Sequence, residues 1–224
     1  MSAETAPGRG ERYVPAAGRV GSTRLYDASI ALTMREERWR PLLRDRALSS
    51  VAAQGHVVDV GAGTGTLAIS LAAARPDVTV TALDGDAEIL ALAQAKTGAE
   101  SVRWRSGLAD ELPLDSDSVD AVVMSLVLHH LSTGAKRRAL SEIARVLRPG
   151  GRLHVADWGR PATPLLRASF FILRVIDGFE GTHDHAAGRI PELLRAAGFS
   201  DVQRYRRLRT AWGSLDLLEG RLVA

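Results

Sequence analysis

The chain has 224 residues, enough for one domain with a sizeable core, and its 46% apolar and 25% charged residues suit a globular protein. Net charge is only +3, and the basic excess is almost all arginine (Lys96 and Lys136 are the only lysines), so without clustering it does not argue for nucleic acid. The absence of cysteine excludes disulfides, thiolate metal sites and cysteine nucleophiles.

Residues 1–22, rich in Gly, Pro, Ala and charge, are expected to be flexible, and the opening residues lack the apolar core of a signal peptide. Nothing approaches the ~18 apolar residues of a membrane span, so a cytoplasmic protein without membrane insertion is expected. From 23 to 50 the spacing turns helical, with Leu25, Ile30, Leu32, Trp39, Leu42 and Leu43 as buried positions. Pro41 is expected to break this region or start a second helix. Residues 57–60 form a short apolar strand carrying Asp59, which breaks into Gly61, Gly63 and Gly65 and then a helix from about 66 to 74. Further strands are expected at 78–83, 101–105, 119–124 and 152–157. Helices are expected at 87–95 and from a Ser132 or Thr133 cap to 147. Arg148-Pro149-Gly150-Gly151 reads as the turn before the fifth strand. Residues 164–178 are largely apolar, with Arg167 and Arg174 on one face, 191–197 are helical, and 201–207 and 213–222 make a closing hairpin. Alternating strands and helices imply an α/β fold with a doubly wound parallel sheet covered on both faces.

The glycine turn separates two ligand classes. A dinucleotide fingerprint would place its third glycine where Thr66 stands; here the spacing is Gly61-x-Gly63-x-Gly65, with Asp59 two residues upstream. A carboxylate suits an ammonium and is a poor neighbour for a pyrophosphate. The pattern resembles motif I of the class I S-adenosylmethionine (SAM) methyltransferases. That resemblance implies a Rossmann-like seven-stranded sheet with one antiparallel strand near the C-terminus. It also implies a glycine turn (Gly61, Ala62, Gly63, Gly65) beside the methionine end of the cofactor and Asp59 holding the amino group. Asp84, followed by Gly85, ends the second strand 19 positions after Gly65, where a carboxylate can accept from both ribose hydroxyls. After the third strand the family usually carries an acid that meets the adenine amino group. Here that position is Leu108 in Gly107-Leu108-Ala109-Asp110, which leaves the backbone of Leu108 and Ala109 to bracket the ring. Asp110 is either a substitute or a surface acid. Residues 125–131, starting at Ser125, resemble motif IV of the small-molecule branch, and 143–151 resemble its helix-to-strand junction. Tyr26-Asp27 is similar to a pair in the N-terminal helices of quinone-type members, with packing of Tyr26 as the alternative.

Methyl transfer from a sulfonium is an in-line displacement that proximity alone can promote. Where the acceptor must lose a proton, a base helps. His129, next to His130 just past a strand end, is the candidate, with closure of the turn as its structural alternative. His183-Asp184-His185 is expected in a solvated loop or at a pocket rim, and no metal is expected. Residues 160–188 are expected to form a lid over the acceptor pocket, with a dimer contact or plain burial as alternatives. A membrane-surface helix ranks last because its polar face is narrow. The expectation is a single domain over 23–224, with cap helices at 23–50. It would be a monomer or homodimer and would move a methyl group from SAM to a small apolar or aromatic acceptor. The competing readings are an NAD-dependent oxidoreductase, opposed by Thr66, and a noncatalytic SAM-binding regulator.

Overall fold

The structure, a computed structural model, describes residues 34–223, so the expectations for 1–33, including Leu25, Tyr26, Asp27, Ile30 and Leu32, lie outside the described residues. In chain order the elements are α1 (Glu36–Leu48), β1 (His56–Val60), α2 (Thr66–Ala74), β2 (Thr79–Asp84) and α3 (Ala87–Gln94). Then come β3 (Arg103–Ser106), β4 (Val119–Ser125), α4 (Thr133–Val146), β5 (Leu147–Gly159) and α5 (Pro164–Asp177). The chain ends with α6 (Phe179–Ala187), α7 (Ile190–Ala196), β6 (Phe199–Arg209) and β7 (Ser214–Leu222). The seven strands make one sheet in the order β3-β2-β1-β4-β5-β7-β6, in which only β7 runs antiparallel to its neighbours.

β1 and β4 are central and almost wholly buried, as the continuous apolar runs of inner parallel strands require. Alternate residues feed two cores. Val57, Ala121, Val123 and Ala156 pack with α1, α2 and α5, whereas Val58, Val122, Leu153 and Val155 pack with α4 and α7. From β1 the chain runs outward through β2 and β3, then crosses back to β4. Strand order therefore reverses between β1 and β4, and the crevice beyond their carboxyl ends is where such sheets bind ligands.

The structure corrects four local expectations. Pro41 lies inside α1 without ending it, because Trp39, Leu43 and Ala47 form one fully buried stripe through that point and their packing outweighs a lost backbone hydrogen bond. Leu42 falls one residue off the stripe and is 40% exposed. Residues 148–151 are a bulge within β5 rather than a turn before it, since Leu147 pairs with Val119 and Arg152 with Ala121. His183-Asp184-His185 lies on α6, where only His183 is exposed and Asp184 and His185 are completely buried.

Candidate active site

At the end of β1 the chain turns through Gly61–Gly65 into α2. The Gly61 and Ala62 amides donate to the Leu83 carbonyl (2.8 and 2.9 Å), and the Gly63 amide donates to Asp84 Oδ2 (2.8 Å). A side chain on Gly61 would overlap Val127, and one on Gly65 would overlap Trp104. Gly63, at φ +53°, has nothing within 4 Å of the place its Cβ would occupy, so the turn is open on that side. Asp84 Oδ1 accepts from the Asp86 amide (3.0 Å), and Asp86 in turn caps α3. Each Asp84 oxygen thus takes one backbone N–H and keeps acceptor capacity for a ligand hydroxyl. The Gly107 amide bonds the Asp84 carbonyl (3.0 Å), which draws half-buried Leu108 and Ala109 beside Asp84 and Gly85. Asp110 is committed to Arg138 (3.0 Å).

Asp59 is fully buried, and neither carboxyl oxygen has a hydrogen-bond partner among the described residues. Burial pushes its pKa up to about 7; Arg40 of α1 opposes the rise and Asp84 adds to it. Arg40 is itself paired with Glu36 (2.8 Å).

β4 ends at Ser125, paired with Ala156 of β5. Leu126 then takes a positive φ of 57°, held by its amide donating to the Ala156 carbonyl (2.8 Å), and turns the chain into a single 3₁₀ turn, Leu128–His130. Because Val127 rests on Gly61, the segment 125–129 adjoins the glycine turn. His129, 4% exposed, donates from Nδ1 to Asp157 Oδ1 at the end of β5 (2.8 Å). The Trp158 amide donates to the same oxygen (2.7 Å). Burial alone would raise the Asp157 pKa, but the neighbouring His129 and His185 and these hydrogen bonds hold it well below the usual carboxylate range. His130 is pushed down to about 3 by burial and by His129.

α6 closes over this turn. The His185 Nδ1–H donates to the Trp158 carbonyl (2.7 Å), and the buried Nε2 has no partner among the described residues. Fully buried Lys136 of α4 donates to the Gly181 carbonyl (2.6 Å) and to Asp184 (3.1 Å), and Asp184 also accepts from Thr133 (2.7 Å) and Arg189 (2.6 Å). Gly181 lies directly on the His129 carbonyl, where any side chain would overlap it.

Residues 57–151 match the family model described as "Methyltransferase domain". Over 187 residues the chain is 34% identical to a demethylmenaquinone methyltransferase of Clavibacter sepedonicus, covering 75% of this chain and 74% of that protein. The chain belongs to the SAM-dependent methyltransferases. A ubiquinone/menaquinone biosynthesis C-methyltransferase UbiE of Rubrivivax gelatinosus is 41% identical over 107 residues, which span 48% of this methyltransferase and 41% of that relative. The crystal structure of YcgJ from Bacillus subtilis shares the fold, with a TM-score of 0.69 at 20% identity over 84% of this chain and 99% of that one.

The methyltransferase uses SAM as its cofactor, and its residues fit that group. A cofactor bearing an ammonium calls for a buried carboxylate with hydrogen-bonding capacity to spare near an open backbone, which Asp59 and Gly63 provide. The oxidoreductase alternative lapses with the family. The structure also adds residues that the sequence analysis did not single out as site components. Asp157 stands 28 positions from His129, and only the β4–β5 pairing brings them together. The one available signal was that the expected fifth strand, 152–157, ends in Asp157. Arg40 and Gly181 carried no signal at all.

Proposed function

We propose that the methyltransferase acts on a small apolar or aromatic acceptor. The observation that carries the cofactor half is the unpartnered Asp59 carboxyl beside open Gly63. Asp59 would hold the cofactor's amino group, and Gly61, Ala62, Gly63 and Gly65 would line its methionine end. Asp84 and Gly85 would take the ribose hydroxyls, Leu108 and Ala109 the adenine, and Ser125 the methyl end. The bound cofactor supplies a methyl already activated on a positive sulfur. The chain aligns the acceptor in line with it and excludes water. The acceptor's proton would pass to the His129 ring, which the hydrogen bond from its Nδ1–H to the ionised Asp157 carboxylate holds in place. Trp158 and Phe170, in edge contact at 6.0 Å, pack together in the core beneath α5.

A demethylmenaquinone methyltransferase and a malonyl-[acyl-carrier protein] O-methyltransferase are similarly identical to this chain (34% and 33%), so resemblance does not choose the acceptor, and the apolar 164–179 segment favours an apolar one. One observation favours a second reading of His129. Its near-complete burial suits a tie between the β4 turn and β5, with methyl transfer by proximity alone.

Calorimetry with SAM and NAD is the first test. SAM binds, NAD does not, and Asp84→Ala weakens SAM about tenfold or more. Undiminished SAM binding by the folded variant would remove Asp84 from the site. In turnover with a naphthol or quinol acceptor, His129→Gln and Asp157→Asn lower kcat about 100-fold with little change in SAM affinity. Unchanged kcat with a lowered Tm would assign the pair to structure.

A further inference from the structure

Five of the eight large apolar side chains exposed among the described residues occur together: Leu165, Phe171, Ile172 and Val175 on α5, and Phe179 at the start of α6, each 47% to 76% exposed. At roughly 100° per residue, the four on α5 sweep one continuous outward arc, while Phe170 and Leu173 on the opposite side are buried in the core. A helix on a protein surface ordinarily shows water a polar face, and this one shows an apolar face. Its charged border is basic. Arg174 donates to Thr182 (3.1 Å) and lies over the Phe179 ring (4.8 Å), whereas the guanidinium of exposed Arg167, on the same side, has no hydrogen bond or ion pair among the described residues. Exposed Arg160, just before the helix, is likewise without an ion pair among the described residues and rests its stem on Gly188.

This pattern of charge selects the occupant. Two copies packed antiparallel through α5 would set the Arg167–Arg174 border against its own like charge, and among the described residues neither arginine has an ion pair to offset it. An anionic lipid surface satisfies both parts, since its acyl region takes the apolar arc and its phosphates take the guanidinium groups at the edge. We propose that α5 is a peripheral docking helix for an anionic lipid bilayer, lying flat in the interface beside the acceptor side of the fold. The narrow polar face that argues against this from sequence is no obstacle, because the side of α5 turned from the lipid is covered by the protein's own core. The helix rests on the surface; no helix among the described residues is long and apolar enough to cross a membrane.

Vesicle flotation of the full chain tests the proposal without any methyl acceptor, so it stands or falls independently of the acceptor reading. Phosphatidylcholine vesicles containing phosphatidylglycerol bind the protein about tenfold more tightly than phosphatidylcholine alone, and added salt removes the difference. Phe171→Ser with Val175→Ser lowers binding to both vesicle types about tenfold, and Arg167→Glu lowers only the anionic component. These side chains face outward, so Tm stays unchanged in every variant. Failure to bind either vesicle, or binding untouched by the serine pair, overturns the proposal. So does a stable dimer in light scattering that the serine pair splits, which would give this face to a second copy.

Discussion

Burial without a hydrogen-bond partner raises the Asp59 carboxyl to about 7, against the opposing pull of Arg40. Between about pH 4 and pH 7 the folded chain therefore keeps a proton that the unfolded chain has released, so this residue's contribution to stability is lost as pH rises through that window. Asp59→Asn should raise Tm at pH 8 and change it little near pH 4, with a gain at pH 8 on the order of 2–4 kcal/mol. The same substitution removes the charge proposed to face the cofactor's ammonium and should weaken SAM binding about tenfold or more. Wild-type affinity should itself decline as pH falls below about 7. Melting curves at the two pH values, paired with calorimetry, check both signs; a variant destabilised at pH 8 would contradict the argument. Asp59 was legible in the sequence because its spacing to the glycines is local. Its lack of partners was not legible, because that depends on what α1 and α2 bring over β1 after folding.

Among the elements, α6 departs furthest from what sequence suggests. Helical periodicity is read from apolar residues, and the buried side of α6 consists of Gly181, Thr182, Asp184 and His185, whose polar groups, His185 Nε2 excepted, are met by Lys136, Thr133, Arg189, Arg174 and the Trp158 carbonyl. A pattern search sees only a polar stretch and assigns a loop. The same polar ties press the α6 backbone against the turn that carries His129. Gly181→Ala should therefore displace that turn, costing roughly 1–3 kcal/mol of stability, since a new methyl group in a packed site must push its neighbours aside. Because the overlap falls on the His129 carbonyl and away from the glycine turn, kcat should fall by a larger factor than SAM affinity. Thermal melts with turnover and calorimetry on one preparation separate the two effects, and equal losses in both would place the strain elsewhere. α4 was the opposite case: its apolar spacing and Ser132 cap, which accepts from the Ala135 amide (3.2 Å), were both visible in sequence.

Across the whole molecule, the alternation of strands and helices was enough to state the doubly wound sheet, because each inner strand is a short apolar run between turn signals, whereas the antiparallel strand near the C-terminus was implied by the family resemblance. Long-range pairings were not legible. Arg46 of α1 and buried Glu219 of β7 form a two-pronged ion pair (both contacts 2.6 Å) across 173 positions, and nothing local marks either residue for the other. The sheet also divides the proposed labour. In that proposal the cofactor's contacts would come mainly from β1, β2 and residues 107–109, whereas the groups offered to the acceptor would follow β4 and β5. The cofactor side would touch an amino group, a ribose and an adenine, none of which is altered when the methyl departs. Such a site would grip the demethylated product about as firmly as fresh donor, so its throughput would depend on how quickly S-adenosylhomocysteine is cleared from around it.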